Sequence, residues 1–345
     1  METTVHEESL ASSVLLDLEA FSTDLDINEG LPELSLGLVV PPDPSLTIEP
    51  YVNWFLTPEA FVVDHTMMPL PSNFKISGLK DCIDIIKAWM VDWVKTGSNA
   101  FIHAQLYQDC FPACLQIAYT TLSAYHNRTE ATTHMILRAV NDQATALVSR
   151  SDEARNSKSL IHDLAHIHAL LAYQMIGLFD GDIRSRYLAE KRVQHLAKLS
   201  ESALEKASVA LARDILVNDS SLRAPGQTSS SELFWHAWIM SESLRRTWLV
   251  VQSIRASYDG LKQGWAQCHG GLMFTSRQGL WSAKSAFDWC SICAEHDVRF
   301  VGRFQLESLL HAPSAEVDEF GKAMVKSLFG KERLESWVEN LTINM

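Results

Sequence analysis

The first 74 residues of this 345-residue chain contain neither lysine nor arginine, and the first basic residue is Lys75. The same segment holds 13 of the 42 acidic residues, so the formal net charge of −13 lies entirely within it and residues 75–345 are balanced. A neutral body exerts no long-range attraction on phosphate groups. The charge therefore gives no support for nucleic-acid binding, and we interpret the basic residues within 184–198 as a solvated helix face.

Signals that would identify a membrane or secreted protein are also missing. The body contains no run of 18 or more apolar residues, which argues against a membrane-spanning helix. The N-terminus lacks a cationic region ahead of an apolar stretch, which argues against a secretory signal. We therefore expect no membrane partner, and we expect the six cysteines to be buried thiols.

Common catalytic motifs are absent as well. We find no glycine-rich phosphate-binding loop and no Gly-x-Ser-x-Gly turn. An all-α terpene cyclase is a less favoured alternative, because that chemistry needs carboxylate-rich motifs that hold magnesium. The nearest approach begins at Asn141 and Asp142 but reaches Ser149 where a carboxylate is required. We therefore predict no enzymatic activity and no cofactor.

What the first segment does contain is an alternation of acidic and apolar residues, as in DLEAFSTDLDINEGLPEL at residues 17–34. This composition is typical of disordered activation segments, which stay solvated through charge repulsion and offer apolar residues to a partner. A proline cluster at 41–44 interrupts any helix. We predict a disordered acidic arm and linker over residues 1–50. For its role we favour a plain linker, or a short helix over 7–21 packed on the body, and partner binding as an activation segment is the alternative.

The rest of the chain places apolar residues at the helical period of 3.6. The stretch LIHDLAHIHALLAYQMIGLF, residues 160–179, is apolar on almost every side, which predicts a helix at the centre of a bundle. The only hairpin candidate is 270–274. The sequence therefore predicts an all-α fold, with a single helical regulatory domain over residues 51–345. The predicted helices run over about 79–95, 108–125, 130–148, 159–179, 183–211, 232–261, 282–297, 315–328 and 331–340, with a loop over 213–231.

Two groups of histidine and cysteine have the spacing of metal ligands. The first lies on an apolar helix and lacks the glutamate that a zinc protease needs after its first histidine. The second lies within a helical run, without the glycines of a zinc knuckle. In both we favour hydrogen-bonded or packed core residues over a metal site. The first group is His162, His166 and His168; the second is Cys290, Cys293 and His296, with Cys268 and His269 earlier.

The stretch FWHAWIMSESLRRTWLVVQ, residues 234–252, combines charges with tryptophans. Glu242 lies three and four residues before Arg245 and Arg246, so carboxylate and guanidinium groups can pair along one helix face. Charges among large apolar side chains usually form a satisfied internal ion pair. We predict a structural ion pair here, with a ligand clamp as the alternative.

The same stretch resembles the C-terminal regulatory region of fungal six-cysteine zinc-cluster transcription factors. Three further segments carry the resemblance: FIHAQLYQDCFPACLQIAYTTLSAY (101–125), HALLAYQMIGLFDGDIRSRYLAE (168–190) and GGLMFTSRQGLWSAKSAFDW (270–289). Together the four cover a region of roughly 50–330. The resemblance implies an all-α regulatory domain, residence in the nucleus, and control of transcription of the kind found beside secondary-metabolite gene clusters.

In that family an N-terminal group of six cysteines binds zinc and places a basic helix in the major groove. This sequence has no cysteine before Cys82. We therefore expect the DNA-binding head to be absent from the chain, and DNA to be contacted indirectly or through a missing N-terminal module. The expected partners are proteins, bound through the acidic arm or the helical body. Whether the chain also forms a homodimer is left open. The alternative function is a non-catalytic interaction or small-molecule-sensing domain.

Overall fold

The computed structural model describes residues 53–65, 76–154, 159–212, 230–302 and 305–339. Within these ranges the chain is almost entirely helical, which confirms the predicted all-α class. The α-helices of the described residues are α1 (Ile76–Thr96), α2 (Ala113–His126), α3 (Glu130–Ala154), α4 (Leu160–Phe179), α5 (Ile183–Ala212), α6 (Ser230–Gln263), α7 (Ala286–Glu295), α8 (Leu306–Leu309), α9 (Glu319–Phe329) and α10 (Lys331–Glu339).

Helix α4 lies at the centre of the fold. Sixteen of its twenty residues are buried, and it packs against α2, α3, α5 and α6. A helix without a polar face avoids exposing apolar surface only when other helices surround it. The predicted central helix is therefore confirmed. It ends at its C-cap residue Asp180, within the Asp-Gly-Asp sequence that precedes α5.

Helix α6 connects this bundle to a second group of helices. It packs against α4 and α5 on one side and against α1 and α7 on another, and α1 also packs against α9. The face of α1 in this contact is an apolar stripe, because its buried residues recur every three or four positions, at the period that predicted a helix over 79–95. These buried residues are Cys82, Ile83, Ile86, Trp89, Met90 and Trp93.

Helix α2 begins later than predicted. We expected it to start near Gln108, but it starts at Ala113 with Pro112 as its extended N-cap residue. The residues before it form turns instead. Pro112 has no N–H to donate and disfavours the helical conformation of the residue before it, so the helix begins only after this proline.

Helices α7 and α9 are also shorter than predicted, because side chains cap their first turns. The Ser285 hydroxyl accepts from the amide of Asp288, and the Asp318 carboxylate accepts from the amide of Gly321. Such capping fixes the first helical residue, since it satisfies amides that have no partner within the helix.

The hairpin candidate at 270–274 does not form a hairpin. The strand β1 (Phe274–Thr275) pairs antiparallel with the distant strand β2 (Phe300–Val301), and Gly271 forms an isolated bridge with Asp64. Gly270 has φ of 102°, and a Cβ there would lie 2.7 Å from Val63 Cγ1. Glycine therefore permits both the backbone conformation and the close approach of the segment 53–65.

Two predictions fall on other parts of the chain. The acidic arm predicted over residues 1–50, and most of the loop predicted over 213–231, lie outside the described residues. The domain boundary near residue 50 stays a prediction. Of the helices in the described ranges, none combines the length and the hydropathy required to cross a bilayer.

Candidate functional site

Glu242, Arg245 and Arg246 lie together in the middle of α6, and all three are buried. One carboxylate oxygen of Glu242, Oε2, accepts from Nε and Nη2 of Arg245 at 3.2 and 2.7 Å. The other, Oε1, accepts from Nε of Arg246 at 2.9 Å. Spacings of three and four residues put the three side chains on one helix face, so two guanidinium groups share one carboxylate.

Asp318, the N-cap residue of α9, supplies a second carboxylate. Its Oδ2 accepts from Nη2 of Arg246 at 2.6 Å, while its Oδ1 accepts from the amide of Gly321 at 2.8 Å. With Asp318 ionised, two negative groups balance two positive ones. We refer to Glu242, Arg245, Arg246 and Asp318 as the charge cluster.

The charge cluster also bonds to the backbone of three distant segments. Arg246 donates to the carbonyls of Ala100 and Thr275 at 2.8 and 2.9 Å, and Arg245 donates to the carbonyl of Phe55 at 3.2 Å. The Thr275 amide in turn donates to a carboxylate oxygen of the cluster at 2.9 Å. Buried charges persist only where such partners compensate for lost water. The cluster therefore ties four separate parts of the chain to α6.

The two carboxylates differ in their protonation behaviour. Burial raises the pKa of Glu242, but the charges of Arg245 and Arg246 outweigh it, and the net pKa lies below its ordinary value. For Asp318 burial has the larger effect, so its pKa is raised although Arg246 and the Gly321 amide act to lower it. Asp318 is therefore the first carboxylate of the cluster to take up a proton as the pH falls.

Aromatic rings enclose the charge cluster. The guanidinium carbon of Arg246 lies 4.1 Å from the ring centre of Trp281 and 4.7 Å from that of Phe320, and the guanidinium carbon of Arg245 lies 5.3 Å from the ring centre of Phe61. The negative ring faces attract the cations and keep water away. Because the guanidinium groups already donate to protein oxygens, we interpret the cluster as an internal support that fixes packing, in preference to a ligand clamp.

A cavity of about 430 Å³ lies further along α6, directly after the charge cluster. It forms where α6 meets α1 and α9, and the segment that follows α6 completes the wall. The wall is mainly apolar, so it suits a ligand that has little charge. Its apolar side chains include Leu79, Trp248, Leu249, Phe274, Leu306 and Met324.

Gln252 is a polar group on this apolar wall. It is 6% exposed, and among the described residues neither its Oε1 nor its Nε2 has a hydrogen-bond partner. The indole Nε1 of Trp248, on the same wall, has none either. Buried amides in proteins are nearly always hydrogen-bonded, and these atoms share the lack of a partner with other buried atoms of the described residues, such as the indole Nε1 of Trp235, Trp238 and Trp289.

The three histidines within residues 162–168 do not converge on one point. His162 is exposed, whereas His168 is buried, with Nδ1 2.8 Å from the Tyr107 hydroxyl and Nε2 2.7 Å from Thr247 Oγ1. Burial lowers the pKa of His168 to about 3 and that of His166 to about 4. His168 is therefore a neutral, hydrogen-bonded core residue.

The cysteines are six free thiols, of which only Cys82 and Cys290 are buried, so the expectation of burial is wrong for the other four. Burial raises the pKa of Cys290, and it raises that of Cys293 to about 12. A raised pKa disfavours the thiolate that binds metals. Across the described part of the chain, no three or more His, Cys, Asp or Glu side chains gather in a way that could hold a metal ion.

Residues considered for magnesium or phosphate binding make structural contacts. Nδ2 of Asn141 donates to Ser185 Oγ at 2.7 Å, and its Oδ1 accepts from Arg192 at 3.3 Å. Asp142 is exposed, and its Oδ2 lies 3.9 Å from Nε of Arg138. Arg192 is buried, so the interpretation of 184–198 as a solvated face is wrong for this residue. The other basic residues there are exposed: Arg184, Arg186, Lys191 and Lys198.

The sequence reasoning missed Asp318 and Gln252. Asp318 carries a local signal, because an Asp before the periodic stretch EFGKAMVKSLF is typical of a helix N-cap. Its contact with Arg246 spans 72 residues, and no local pattern encodes it. Gln252 ends the tryptophan-rich stretch, but a sequence gives no sign of whether a glutamine has hydrogen-bond partners.

Comparison with known proteins gives a distant relative. No family profile matches the sequence, and no solved structure matches it significantly. Among curated proteins, the chain is 27% identical over 249 residues to "Transcription factor gsfR2" of Penicillium aethiopicum. The match covers 70% of this chain and 57% of that protein, so the chain spans a little over half the length of this relative. This similarity supports the expected resemblance to fungal transcription factors.

Proposed function

We propose that this chain is the regulatory part of a fungal transcription regulator of the six-cysteine zinc-cluster type. The observation that carries the proposal is the similarity over 249 residues to a fungal protein named as a transcription factor. The all-α body agrees with it. In this proposal the body is a non-catalytic scaffold that works in the nucleus, and the genes it controls belong to a secondary-metabolite cluster.

In the proposed mechanism the acidic N-terminal residues contact a partner protein, and the helical remainder forms the packed domain. Residues 1–50 contain 11 acidic residues and no basic ones, and they contact a protein partner through their apolar residues. Residues 51–345 form the helical body and supply further partner contacts. DNA recognition comes from a module outside the sequence, encoded upstream of Met1 or provided by a partner protein.

A tethered reporter assay tests the regulatory role. The whole chain, residues 51–345, and residues 1–50 are each fused to an unrelated DNA-binding domain, and expression of a reporter gene is measured in a filamentous fungus. We expect the whole chain to change expression at least about fivefold and residues 51–345 to lose most of the effect, because the arm is absent. Unchanged expression with every fusion, at equal protein levels and with nuclear fluorescence of the tagged chain, would contradict the proposal.

A second experiment tests where DNA recognition resides. Gel-shift measurements with the purified chain and promoters near its gene should show no sequence-specific shift. Translation of the genomic sequence upstream of the Met1 codon should then reveal Cys-x-x-Cys followed by basic residues and further cysteines, or co-purification should identify a DNA-binding partner. A specific shift by the chain alone would contradict this part of the proposal.

A further inference from the structure

We propose that the first part of α5 binds an acidic amphipathic segment of a partner protein, whose apolar residues cover Ile183 and Tyr187 and whose carboxylates pair with the lysines that follow them. This deepens the proposed function and rests on it, because it assigns a partner contact of the helical body to one surface and states the chemistry of the partner. Five exposed residues form that surface, and we refer to them as the α5 stripe: Ile183, Tyr187, Lys191, Gln194 and Lys198.

The α5 stripe lies along one face of the helix. Its residues are separated by three or four positions, so their side chains follow one another on the same side. The stripe is about 22 Å long, since an α-helix rises about 1.5 Å per residue. The opposite face of the same turns is buried in the bundle through Ser185, Ala189 and Arg192. The exposed face is therefore long enough to contact about four turns of a partner helix.

The first turn of the stripe is apolar. The side chains of Ile183 and Tyr187 are 89% and 55% exposed. They lie one turn apart, so they form one apolar surface and not two isolated side chains. The ammonium nitrogen of Lys191 lies 4.3 Å from the ring centre of Tyr187, and this cation–π contact joins the apolar end of the stripe to its basic end. A partner that covers this end removes apolar surface from water, which favours binding.

The basic end of the stripe lacks the ion pairs that neutralise other lysines of the body. Three lysines elsewhere have a carboxylate oxygen 2.7 or 2.8 Å from Nζ: Lys87, Lys206 and Lys262. By contrast, Lys191 and Lys198 form no ion pair with a carboxylate of the described residues. Arg184 and Arg186 are exposed beside the stripe and form no such pair there either. The four cations therefore maintain a positive potential that attracts carboxylates.

The acidic residues near the stripe either bond within the protein or mark its end. Asp182 accepts from a backbone amide of the first turn of α5, and Glu190 accepts from Nζ of Lys262 at 2.8 Å. Glu201 and Glu205 are exposed and follow the stripe on the same face. Their charge repels further carboxylates, so the acidic residues of the partner are confined to the basic end of the stripe.

This combination of groups favours a protein segment over a nucleic acid as the partner. Phosphate groups would pair with the cations but leave Ile183 in water. An amphipathic helix carries apolar and acidic side chains three and four positions apart, which matches the spacing of the stripe and uses both of its ends. The contact buries a small area, so we expect a weak complex with a Kd of about 10–100 µM.

Fluorescence anisotropy titrations of labelled probes with the purified full-length chain test the inference. The acidic probe is a peptide of about 16 residues, with leucines three and four positions apart and glutamates between them. One reference peptide has glutamine in place of each glutamate, a second has serine in place of each leucine, and a DNA duplex of about 12 base pairs provides a polyanion. Salt at about 0.1 M screens charges beyond about 10 Å, so the net charge of the chain has little effect. We expect the acidic probe to bind at least about tenfold more tightly than each of the others.

Charge variants locate the binding on the basic end of the stripe. The double variant Lys191→Glu/Lys198→Glu should weaken binding of the acidic probe at least about tenfold, because two attractions become repulsions. The matched control is Lys331→Glu/Arg333→Glu on α10, which replaces two other exposed cations and changes the net charge equally. It should leave the affinity unchanged.

Apolar variants locate the binding on the other end. Ile183→Ser should weaken binding of the acidic probe about fivefold, because a polar side chain gains less from being covered. The matched control is Val209→Ser, which removes another exposed apolar side chain of α5 beyond the stripe. It should have no effect on the affinity. Circular dichroism checks that each variant is folded.

The inference is supported if both stripe variants lose affinity for the acidic probe while both controls keep it. It is overturned if the acidic probe does not bind at about millimolar concentration, if the glutamine peptide or the DNA duplex binds as tightly, or if the stripe variants bind as their controls do. If the double variant does not fold, unchanged affinity in Ile183→Ser overturns it. Reporter activity without peptide binding would reject the α5 stripe alone, whereas peptide binding without reporter activity would reject the proposed function alone.

Discussion

Arg246 donates hydrogen bonds from the middle of α6 to two carboxylates and to two backbone carbonyls. Replacing it with methionine keeps the apolar volume but leaves Asp318 buried with no opposite charge. We expect Arg246→Met to lower the free energy of unfolding by about 3–5 kcal/mol. Urea denaturation followed by circular dichroism measures this.

The matched control for that substitution is Arg138→Met. The Arg138 side chain is 78% exposed, and its nearest carboxylate, that of Asp142, is 3.9 Å away. Exposed pairs of this kind contribute little, so we expect a change below about 0.5 kcal/mol. Equal losses in the two variants would show that the charge cluster contributes nothing specific to stability.

A second prediction at the residue scale concerns pH. Burial lowers the pKa of His103, with a smaller contribution from the charge of Arg246, and burial lowers that of His168, in each case from 6.5 to about 3. The unfolded chain therefore binds protons that the folded chain excludes. Stability is complete above pH 6.5 and falls as the pH drops from 6.5 towards 3. At pH 5 each histidine should cost about 2 kcal/mol.

Urea unfolding at about pH 7.5 and about pH 5 tests this expectation. His168→Gln removes one titrating group and keeps an amide that can bond to Tyr107 or Thr247. The variant should lose less stability between the two pH values than the unaltered chain, by about 2 kcal/mol. An identical loss in both proteins would mean that His168 is protonated in the folded state.

At the scale of elements, the N-termini of α7 and α9 can be compared directly. Ser285 only caps α7, whereas Asp318 both caps α9 and pairs with Arg246. We expect Ser285→Ala to cost about 1 kcal/mol and Asp318→Ala at least about 3 kcal/mol, because the second change also leaves a buried cation unpaired. Asp318→Asn keeps the cap, so its cost should lie between these values. Thermal and urea unfolding provide the measurements, and equal costs for both alanine variants would contradict the dual role of Asp318.

The elements also show what the sequence could predict. The period of apolar residues in α1 and the all-round apolar character of α4 are local properties, and both helices formed where expected. The segment before α2 forms turns instead of helix, with the amides of Leu106 and Gln108 bonded to the carbonyls of His103 and Gln105. The pairing of β1 with β2 depends on contacts between distant residues. Periodicity carries no information about such contacts.

The candidate site also has one part that the sequence could predict and one part that it could not. Glu242, Arg245 and Arg246 are close in the sequence, so their proximity could be predicted from helix geometry alone. Asp318 and the backbone carbonyls that complete the charge cluster come from distant segments, and the cavity exists only where α1, α6 and α9 meet. Tertiary contacts of this kind have no local signature.

At the scale of the whole molecule, truncation tests where the folded domain begins. Removing residues 1–50 takes away 11 acidic residues and changes the net charge from −13 to −2. We expect no change in stability, because the predicted domain starts after this segment. Removing residues 1–61 also deletes Phe55 and Phe61, which are 0% and 4% exposed, and the carbonyl that Arg245 binds. Loss of such buried aromatic residues should cost at least about 3 kcal/mol.

Differential scanning calorimetry of both truncated proteins beside the full chain provides the measurement. If removal of residues 1–50 destabilises the protein as much as removal of 1–61, the arm belongs to the folded core and the predicted boundary is wrong. Ionic strength should be held constant, since the two proteins differ from the full chain in net charge.

Three of the oxygen atoms that receive hydrogen bonds from Arg245 and Arg246 belong to the main chain, at Phe55, Ala100 and Thr275. Any amino acid offers a peptide oxygen, so mutation at these positions alters the neighbouring side chain but never deletes the acceptor. To keep the hydrogen bonds of the two arginines, evolution therefore has to conserve only two acidic side chains, Glu242 and Asp318. Glu-x-x-Arg-Arg in a tryptophan-rich helix, followed downstream by an Asp before a helix, could therefore identify descendants whose overall sequence has diverged beyond recognition.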